Sequence, residues 1–290
     1  MELVNDNMIG RTFRTMIVLL LLFLGIGTSV SAQEASSGHG QSVTVNVMSY
    51  NIHHAEGVDG VLNLERIAKI IEQEKADIIG LQEVDNHWSE RSEFQDQAKL
   101  LAERLGMFYT YAPNLDRDPL KEGQERRQYG TAILSKYPIL HSENYSLTKI
   151  GNTEQRGVLE ATINVKGTHL HFYNTHLALT SAEREIQIKE MIELASTSKG
   201  PKIFAGDLNA TPESKEMIPM YENYRDVFAS NPDAFTYPAK NPSKRIDYLF
   251  TSGDIEITNS HVIRSLSSDH LPIVAEIVLE RESPFLNGHK

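Results

Sequence analysis

Between Val43 and Glu282 the apolar residues switch their period repeatedly, from two to nearly four and back, and this limits the possible folds more than any other feature. Val43, Val45 and Val47 alternate with polar residues and run into Tyr50-Asn51, the pattern of a strand with one buried face. Leu64, Ile67, Ala68 and Ile71 then fall at i, i+3, i+4 and i+7, which is one apolar face of a helix. Asp77 to Leu81 reads as a short apolar strand ending at Gln82-Glu83. Ser92 and Gln95 have capping-box spacing for a second helix carrying Phe94, Ala98, Leu101 and Leu105, with Gly106 as its stop. Thr180 and Glu183 cap a third, with Ile188, Met191, Ile192 and Ala195 inward and Gly200-Pro201 ending it. Further strands are predicted at Thr131–Leu134, Val158–Val165, His169–Thr175, Lys202–Ala205, Ile246–Phe250 and Ile273–Leu279. Many strands, few helices and several adjacent strand pairs favour a layered α+β sandwich over a doubly wound parallel sheet.

The ends of the chain read differently. Arg11 and Arg14 precede an apolar run from Met16 to Gly27, and Val30-Ser31-Ala32 has the small-x-small form of a cleavage site before Gln33. A membrane-spanning helix needs roughly 20 apolar residues, so the run suits a signal peptide better than an anchor. The expectation is a signal peptide over 1–32, a Ser/Gly-rich linker over 33–42, one domain over 43–282 and a tail over 283–290, with the mature protein secreted or in the cell envelope. Retention of the segment as an anchor is the alternative. The chain has no cysteine, which removes disulfides, thiolate zinc sites and a cysteine nucleophile. A net charge of −11 provides no general attraction to nucleic acid or anionic lipid, so phosphate binding has to be local.

Several segments interrupt the apolar rhythm with Asn, Asp, Glu or His. They are Ser49-Tyr50-Asn51, Leu81-Gln82-Glu83, Asn174-Thr175-His176, Gly206-Asp207-Leu208-Asn209, Arg245-Ile246-Asp247-Tyr248 and Ser268-Asp269-His270. Singly, each has an ordinary explanation. Asp-x-Asn after a glycine is commonly a turn, and a lone His270 suits a structural histidine. Asp247 is harder to dismiss, because a carboxylate in an apolar strand is costly without a partner or a metal. Together they match the needs of metal-assisted phosphoester cleavage. Hard oxygen ligands hold Mg²⁺ or Mn²⁺, a carboxylate orients or deprotonates water, and donors stabilise charge on the phosphoryl oxygens.

In order and residue type these segments resemble the endonuclease/exonuclease/phosphatase superfamily, which includes DNase I, apurinic endonucleases, neutral sphingomyelinases, inositol-polyphosphate phosphatases and deadenylases. Gly206-Asp207-Leu208-Asn209 and Ser268-Asp269-His270-Leu271-Pro272 carry the resemblance most specifically. It implies a four-layer α/β-β/α sandwich of the DNase I-like type, with the site where loops of the two sheets meet. It also implies metal ligation by Glu83, with Asn51 beside it and Asp269 supporting. Asp207 would position the attacking water, with Asn209 on the phosphate. His270 would stabilise the phosphate, paired with Asp247, and His176 would be the second histidine. Arg156 and Asn174 are the expected substrate-binding residues. Where several DNA-repair members carry an aspartate two residues after the first asparagine, this chain has His53, which departs from the apurinic-endonuclease pattern.

A histidine zinc cluster is disfavoured by strand parity, since His169 and His171 share one face while Asn174 and His176 share the other. No G-x-S-x-G, H-E-x-x-H or G-x-x-x-x-G-K-[ST] motif is present. The most basic loop, Asp116 to Arg127, balances Arg117, Lys121, Arg126 and Arg127 against Asp116, Asp118, Glu122 and Glu125. His87, Trp88 and Arg91 suit a stacking rim or a cover for the core equally well. Met48 to Asp85 also resembles the phosphodiesterase-like domain of the calcofluor-hypersensitivity proteins linked to GPI-anchor processing. The expected substrates are therefore small, lipid-linked or sugar-linked phosphoesters. The alternatives are an extracellular endonuclease acting on DNA or RNA, and a non-catalytic member that binds phosphorylated ligands or a partner. No obligate protein partner is evident.

Overall fold

The structure is a computed structural model that describes residues 42–280. The expected signal peptide, all of the linker but Ser42, and the tail lie outside the described residues. The first strands are β1 (Val43–Asn51), β2 (Ile78–Asn86), β3 (Phe108–Arg117), β4 (Arg127–Ser135), β5 (Ile139–Ser146) and β6 (Gly157–Val165). They are followed by β7 (Thr168–His176), β8 (Lys202–Asp207), β9 (Arg225–Asp226), β10 (Asp247–Thr251), β11 (Glu256–Val262) and β12 (Ile273–Leu279). The helices are α1 (Leu64–Gln73), α2 (Gln97–Leu105), α3 (Ser181–Ser196) and α4 (Ile218–Asn223).

The strands form two six-stranded sheets, ordered β11-β12-β1-β2-β4-β3 and β5-β6-β7-β8-β10-β9. Both are mixed: β1 runs parallel to β2 in the first, and β7 parallel to β8 in the second. Alternate residues of the inner strands, among them Val45, Val47, Ile78, Phe172, Ile203, Leu249 and Ile277, make the core between the sheets. On the outer face of the first sheet, Ile67, Ile71 and Leu101 of α1 and α2 pack on Met48, Ile79 and Leu134. On the outer face of the second, Ile188, Met191 and Met220 of α3 and α4 cover Tyr173, Phe204 and Phe250. Helix, sheet, sheet and helix are the four layers that the family resemblance implies.

Local signals account for the helix ends. Asn63 caps α1 by accepting from Arg66 N, and Thr180 caps α3 by accepting from Glu183 N at 3.4 Å while its hydroxyl donates to Glu183 Oε2 at 2.6 Å. The start of α2 differs from the Ser92–Gln95 expectation. A 3-10 turn covers Glu90–Ser92, Glu93 and Phe94 are left-handed, and the cap is Asp96, which accepts from Lys99 N. A helix cannot run through two left-handed residues, so it begins one turn later and leaves Phe94 exposed. Gly106 ends α2 in the left-handed region, as expected.

Where the sheets come nearest, Gly80 leaves no space for a side chain. A Cβ there would lie 2.8 Å from Asn174 Oδ1 and 2.9 Å from the Cβ of Ala205.

Candidate active site

Strand register brings most of the polar segments together. In the second sheet His176 pairs across to Asp207, and Asp207 to Asp247, so three neighbouring strands present these residues in one row. In the first sheet Asn51 ends β1, and Glu83 sits in a bulge of β2 where the pairing to β4 slips between Leu81 and Val84. Glu83 has a left-handed φ of 56°, the kind of local kink by which a bulge re-aims one side chain. The Ser268-Asp269-His270 loop is fastened to the end of β1, because Ser268 Oγ donates to Asn51 O at 2.7 Å and accepts from His270 N at 3.2 Å.

Asp207 is the centre of the group. One of its oxygens, Oδ2, accepts from Asn51 Nδ2 at 3.0 Å and faces Nε2 of His176 at 3.5 Å and of His270 at 3.6 Å. The other, Oδ1, accepts from Asn209 N at 2.9 Å. The residue is 2 % exposed, and burial, partly offset by His270 and reinforced by Asp247, raises its pKa to about 7. Burial by itself would lower the pKa of His270. The charges of Asp247 and Asp207 outweigh it, together with a 2.9 Å hydrogen bond from His270 Nδ1 to Asp247 Oδ2, and raise it to about 10. The Tyr237 ring packs on this imidazolium at 4.7 Å. His176 goes the other way: burial first, then Arg156 and His270, hold its pKa well below the usual value, so it is neutral. The site thus holds a carboxylate that titrates near neutrality between one neutral and one protonated imidazole.

A cleft of about 560 Å³ opens onto the group, lined by Glu83, Arg156, His176, Asp207, Asn209, Asp269 and His270. Arg156 is nearly buried and shares its charge with Glu154 at 2.7 Å. Asn209, left-handed at φ 50°, is held by its amide donating to Leu177 O at 3.0 Å. Asn51 bridges two carboxylates, its amide nitrogen donating to Glu83 Oε1 and Asp207 Oδ2, both at 3.0 Å, while its oxygen accepts from His53 N at 3.1 Å. One expected role changes. Asn174 is not a substrate-binding residue. It is 0 % exposed, donates to Leu81 O and Ala132 O at 2.8 Å each, and accepts from Gln82 Nε2 at 2.7 Å, which ties the two sheets together beneath the cleft.

Glu83 and Asp269 present carboxylate oxygens at the cleft, and no Lys or Arg forms an ion pair with either among the described residues. Hard, uncompensated oxygen donors of this kind fit a divalent cation. His53 and His54 lie beside Glu83, each with a ligand atom within 4.8 Å of the others. Asp207, Asp247 and His270 are as close to one another, but the protonated His270 already supplies the positive charge there.

A family model described as the Endonuclease/Exonuclease/phosphatase family matches residues 48–270. The chain belongs to that family. Its members are hydrolases acting on phosphoester bonds, generally with a divalent metal. An uncharacterised Escherichia coli K12 protein, YbhP, is 26% identical over 260 residues, covering 82% of this chain and 98% of its own. An endonuclease/exonuclease/phosphatase structure from Beutenbergia cavernae matches with a TM-score of 0.69 at 23% identity, covering 82% of this chain and 72% of that one. A mannosyl-6-phosphatase from Bacteroides thetaiotaomicron matches with a TM-score of 0.65 at 20% identity, covering 81% and 100%. These two likenesses show that the DNase I-like fold is shared.

The cleft is also lined by residues that sequence patterning does not single out, among them Tyr129, Glu154, Arg184, Tyr237 and Lys244. Lys244 stands one residue before the Arg245-Ile246-Asp247 segment and has no ion pair among the described residues. Trp88 is half-buried between Arg117 at 4.7 Å and Arg91 at 5.7 Å, with its ring tilted against Tyr129 at 5.8 Å.

Proposed function

We propose that the chain is an exported, divalent-metal-dependent phosphoesterase that hydrolyses small, lipid-linked or sugar-linked phosphoesters. The observation that carries the reading is Asp207 flanked by His176, His270 and Asn51 at the base of a cleft rimmed by Glu83 and Asp269. A cation held by Glu83, supported by Asp269, would polarise the phosphoryl group and offset its charge. Asp207, with its pKa raised to about 7, takes the proton of the attacking water near neutral pH. His270 enters as the imidazolium, oriented by Asp247, and donates to a phosphoryl oxygen as negative charge grows there. His176 is a neutral donor on the other side of Asp207, and Asn209 and Arg156 reach the phosphate from the wall of the cleft.

Size and charge support the substrate class. A volume of about 560 Å³ is that of a small-molecule pocket. In the loop from Asp116 to Arg127, Arg126 bonds Asp116 at 2.7 Å and Asp118 at 2.8 Å, and its four basic residues are matched by four acidic ones. A loop with no net charge offers little attraction to a nucleic-acid backbone. Purified protein supplied with Mg²⁺ or Mn²⁺ should cleave a phosphorylated sugar, sphingomyelin or a phosphatidylinositol lipid better than duplex DNA or RNA. Nanomolar duplex binding at physiological salt with a steep salt dependence would replace this reading with a nuclease.

A further inference from the structure

Two consecutive histidines beside Glu83 take no part in the hydrolysis described above. His53, His54 and Ala55 follow Asn51 in a left-handed run, with φ of 45°, 43° and 64°. The run is pinned by Ala55 N donating to Ile52 O and by Gln97 Nε2 donating to His54 O at 2.7 Å. Such backbone is costly for residues with a Cβ and persists where its surroundings enforce it. Its effect here is to bring both imidazoles to Glu83, which is itself re-aimed by the bulge in β2.

The ring nitrogens are divided in a way that suits ligation. His53 Nδ1 lies 3.2 Å from Glu56 O, where it donates, and this leaves Nε2 with its lone pair. His54 Nε2 lies 3.6 Å from the Glu56 carboxylate, while its Nδ1 is buried with no hydrogen-bond partner, in a residue 6 % exposed. Glu56 therefore faces one nitrogen of each ring, by a hydrogen bond to His53 and a charge contact to His54. A backbone carbonyl or carboxylate holding the far side of an imidazole is the usual support of a metal-binding histidine. A buried, unbonded ring nitrogen is otherwise an uncompensated cost.

We propose that His53, His54 and Glu83 form an imidazole–carboxylate site that makes the cation of this cleft a transition ion such as Mn²⁺, Co²⁺ or Zn²⁺ in preference to Mg²⁺. The inference rests on the reading that Glu83 holds the cation of the phosphoesterase. Each of the three residues offers a ligand atom within 4.8 Å of the other two, and closing on a shared ion at bonds of about 2.1 Å requires the side chains to draw together. Imidazole favours first-row transition ions, whereas Mg²⁺ favours all-oxygen shells.

Metal binding by the chelator-stripped protein tests this by calorimetry with Mg²⁺, Mn²⁺, Co²⁺ and Zn²⁺, with the Co²⁺ visible spectrum and the histidine ring NMR signals as further readouts. His53→Gln and His54→Gln should each weaken Co²⁺ and Zn²⁺ binding by at least about tenfold and change Mg²⁺ binding by less than about threefold. Both rings should respond to Zn²⁺ in the unaltered protein. His53 is half-exposed, so His53→Gln carries the test if the buried His54 variant does not fold. Equal losses for all four ions, or none, would overturn the proposal, and continued hydrolysis of a nitrophenyl phosphodiester would then leave the phosphoesterase reading standing. Tight, histidine-dependent Zn²⁺ binding without hydrolysis by any metal form would uphold the site and remove that reading.

Discussion

Replacing Asp247 by Asn is the most discriminating change available, because it removes one charge and alters little else. In the mechanism proposed above, hydrolysis requires Asp207 deprotonated and His270 protonated. Their pKa values, raised to about 7 and about 10, should frame a pH profile of kcat/KM that climbs through the first and falls through the second. Asp247 supports both values. It favours the imidazolium of His270, and its negative charge disfavours ionisation of Asp207. With a neutral amide in its place, burial still works to deprotonate His270, and only Asp207, with a smaller contribution from Asp269, opposes it, so the alkaline limb should move to lower pH. The acid limb should move the same way, since Asp207 has lost a like-charged neighbour. A shift of both limbs in one direction is a signature that general loss of structure would not produce.

The magnitude follows from the role of the histidine. Removing one preorganised donor to a developing oxyanion costs about 10² to 10³ in rate, so His270→Ala should lower kcat by at least that factor with little change in KM. Asp247→Asn should lose less near neutral pH, because the ring stays but is less firmly held and charged. If the two act as a unit, the double variant should be barely worse than His270→Ala. Hydrolysis of bis-p-nitrophenyl phosphate, quenched at one alkaline pH so that the chromophore reads the same throughout, measures all three, with thermal unfolding as a check on the fold. An unmoved alkaline limb in Asp247→Asn, multiplicative losses in the double variant, or near-normal kcat in His270→Ala would each refute the assignment.

Other changes test other parts of the molecule. Glu83→Gln should raise the metal concentration needed for half-maximal activity and lower the maximal rate while leaving the fold intact, and full activity in excess EDTA would sink the mechanism. Asn174→Ala should cost about 3 kcal/mol in urea unfolding, from three buried hydrogen bonds at about 1 kcal/mol each, with KM unchanged. A raised KM at unchanged stability would return Asn174 to the substrate. Export should remove residues 1–32 and leave Gln33 at the new terminus, which the intact mass of secreted protein decides.

How far the fold can be read from the sequence depends on where a strand lies in its sheet. The strands that periodicity identifies are β1, β2, β4, β6, β7, β8, β10 and β12, and every one is interior. β3, β5, β9 and β11 escape it, and they are the four edges. An edge strand packs against one neighbour and is kept polar against further pairing, so β5 (Ile139–Ser146) and β11 (Glu256–Val262) carry little apolar alternation. Glu83 is visible as a polar residue at the end of an apolar run, but the bulge that aims it is not, because the strand continues to Asn86 beyond it. The His53-His54 pair gives no periodic signal at all, and its place beside Glu83 depends on a left-handed backbone that residue type does not announce.

Strand parity explains why the site lies where it does, and why Asn174 lies beneath it. Val43, Val45 and Val47 face the inter-sheet core, and the same parity continues to Ser49 and Asn51. Leu170 and Phe172 continue to Asn174 and His176, and Ile203 and Ala205 continue to Asp207. Each inward row starts apolar and turns polar toward one end of the sandwich, so the site is the solvent end of the core itself. Asn174 shares the parity of His176 but sits two residues, about 7 Å, deeper. At that depth it meets Gln82, which also bonds Ser49, rather than the cleft. This inner polar row joins one sheet to the other, and the row above it lines the candidate site. A buried link between the sheets, directly beneath Asp207 and Asn51, limits relative sliding of the two halves that supply the site. Residue type and parity alone cannot separate the two rows; position along the strand relative to the last apolar residue can.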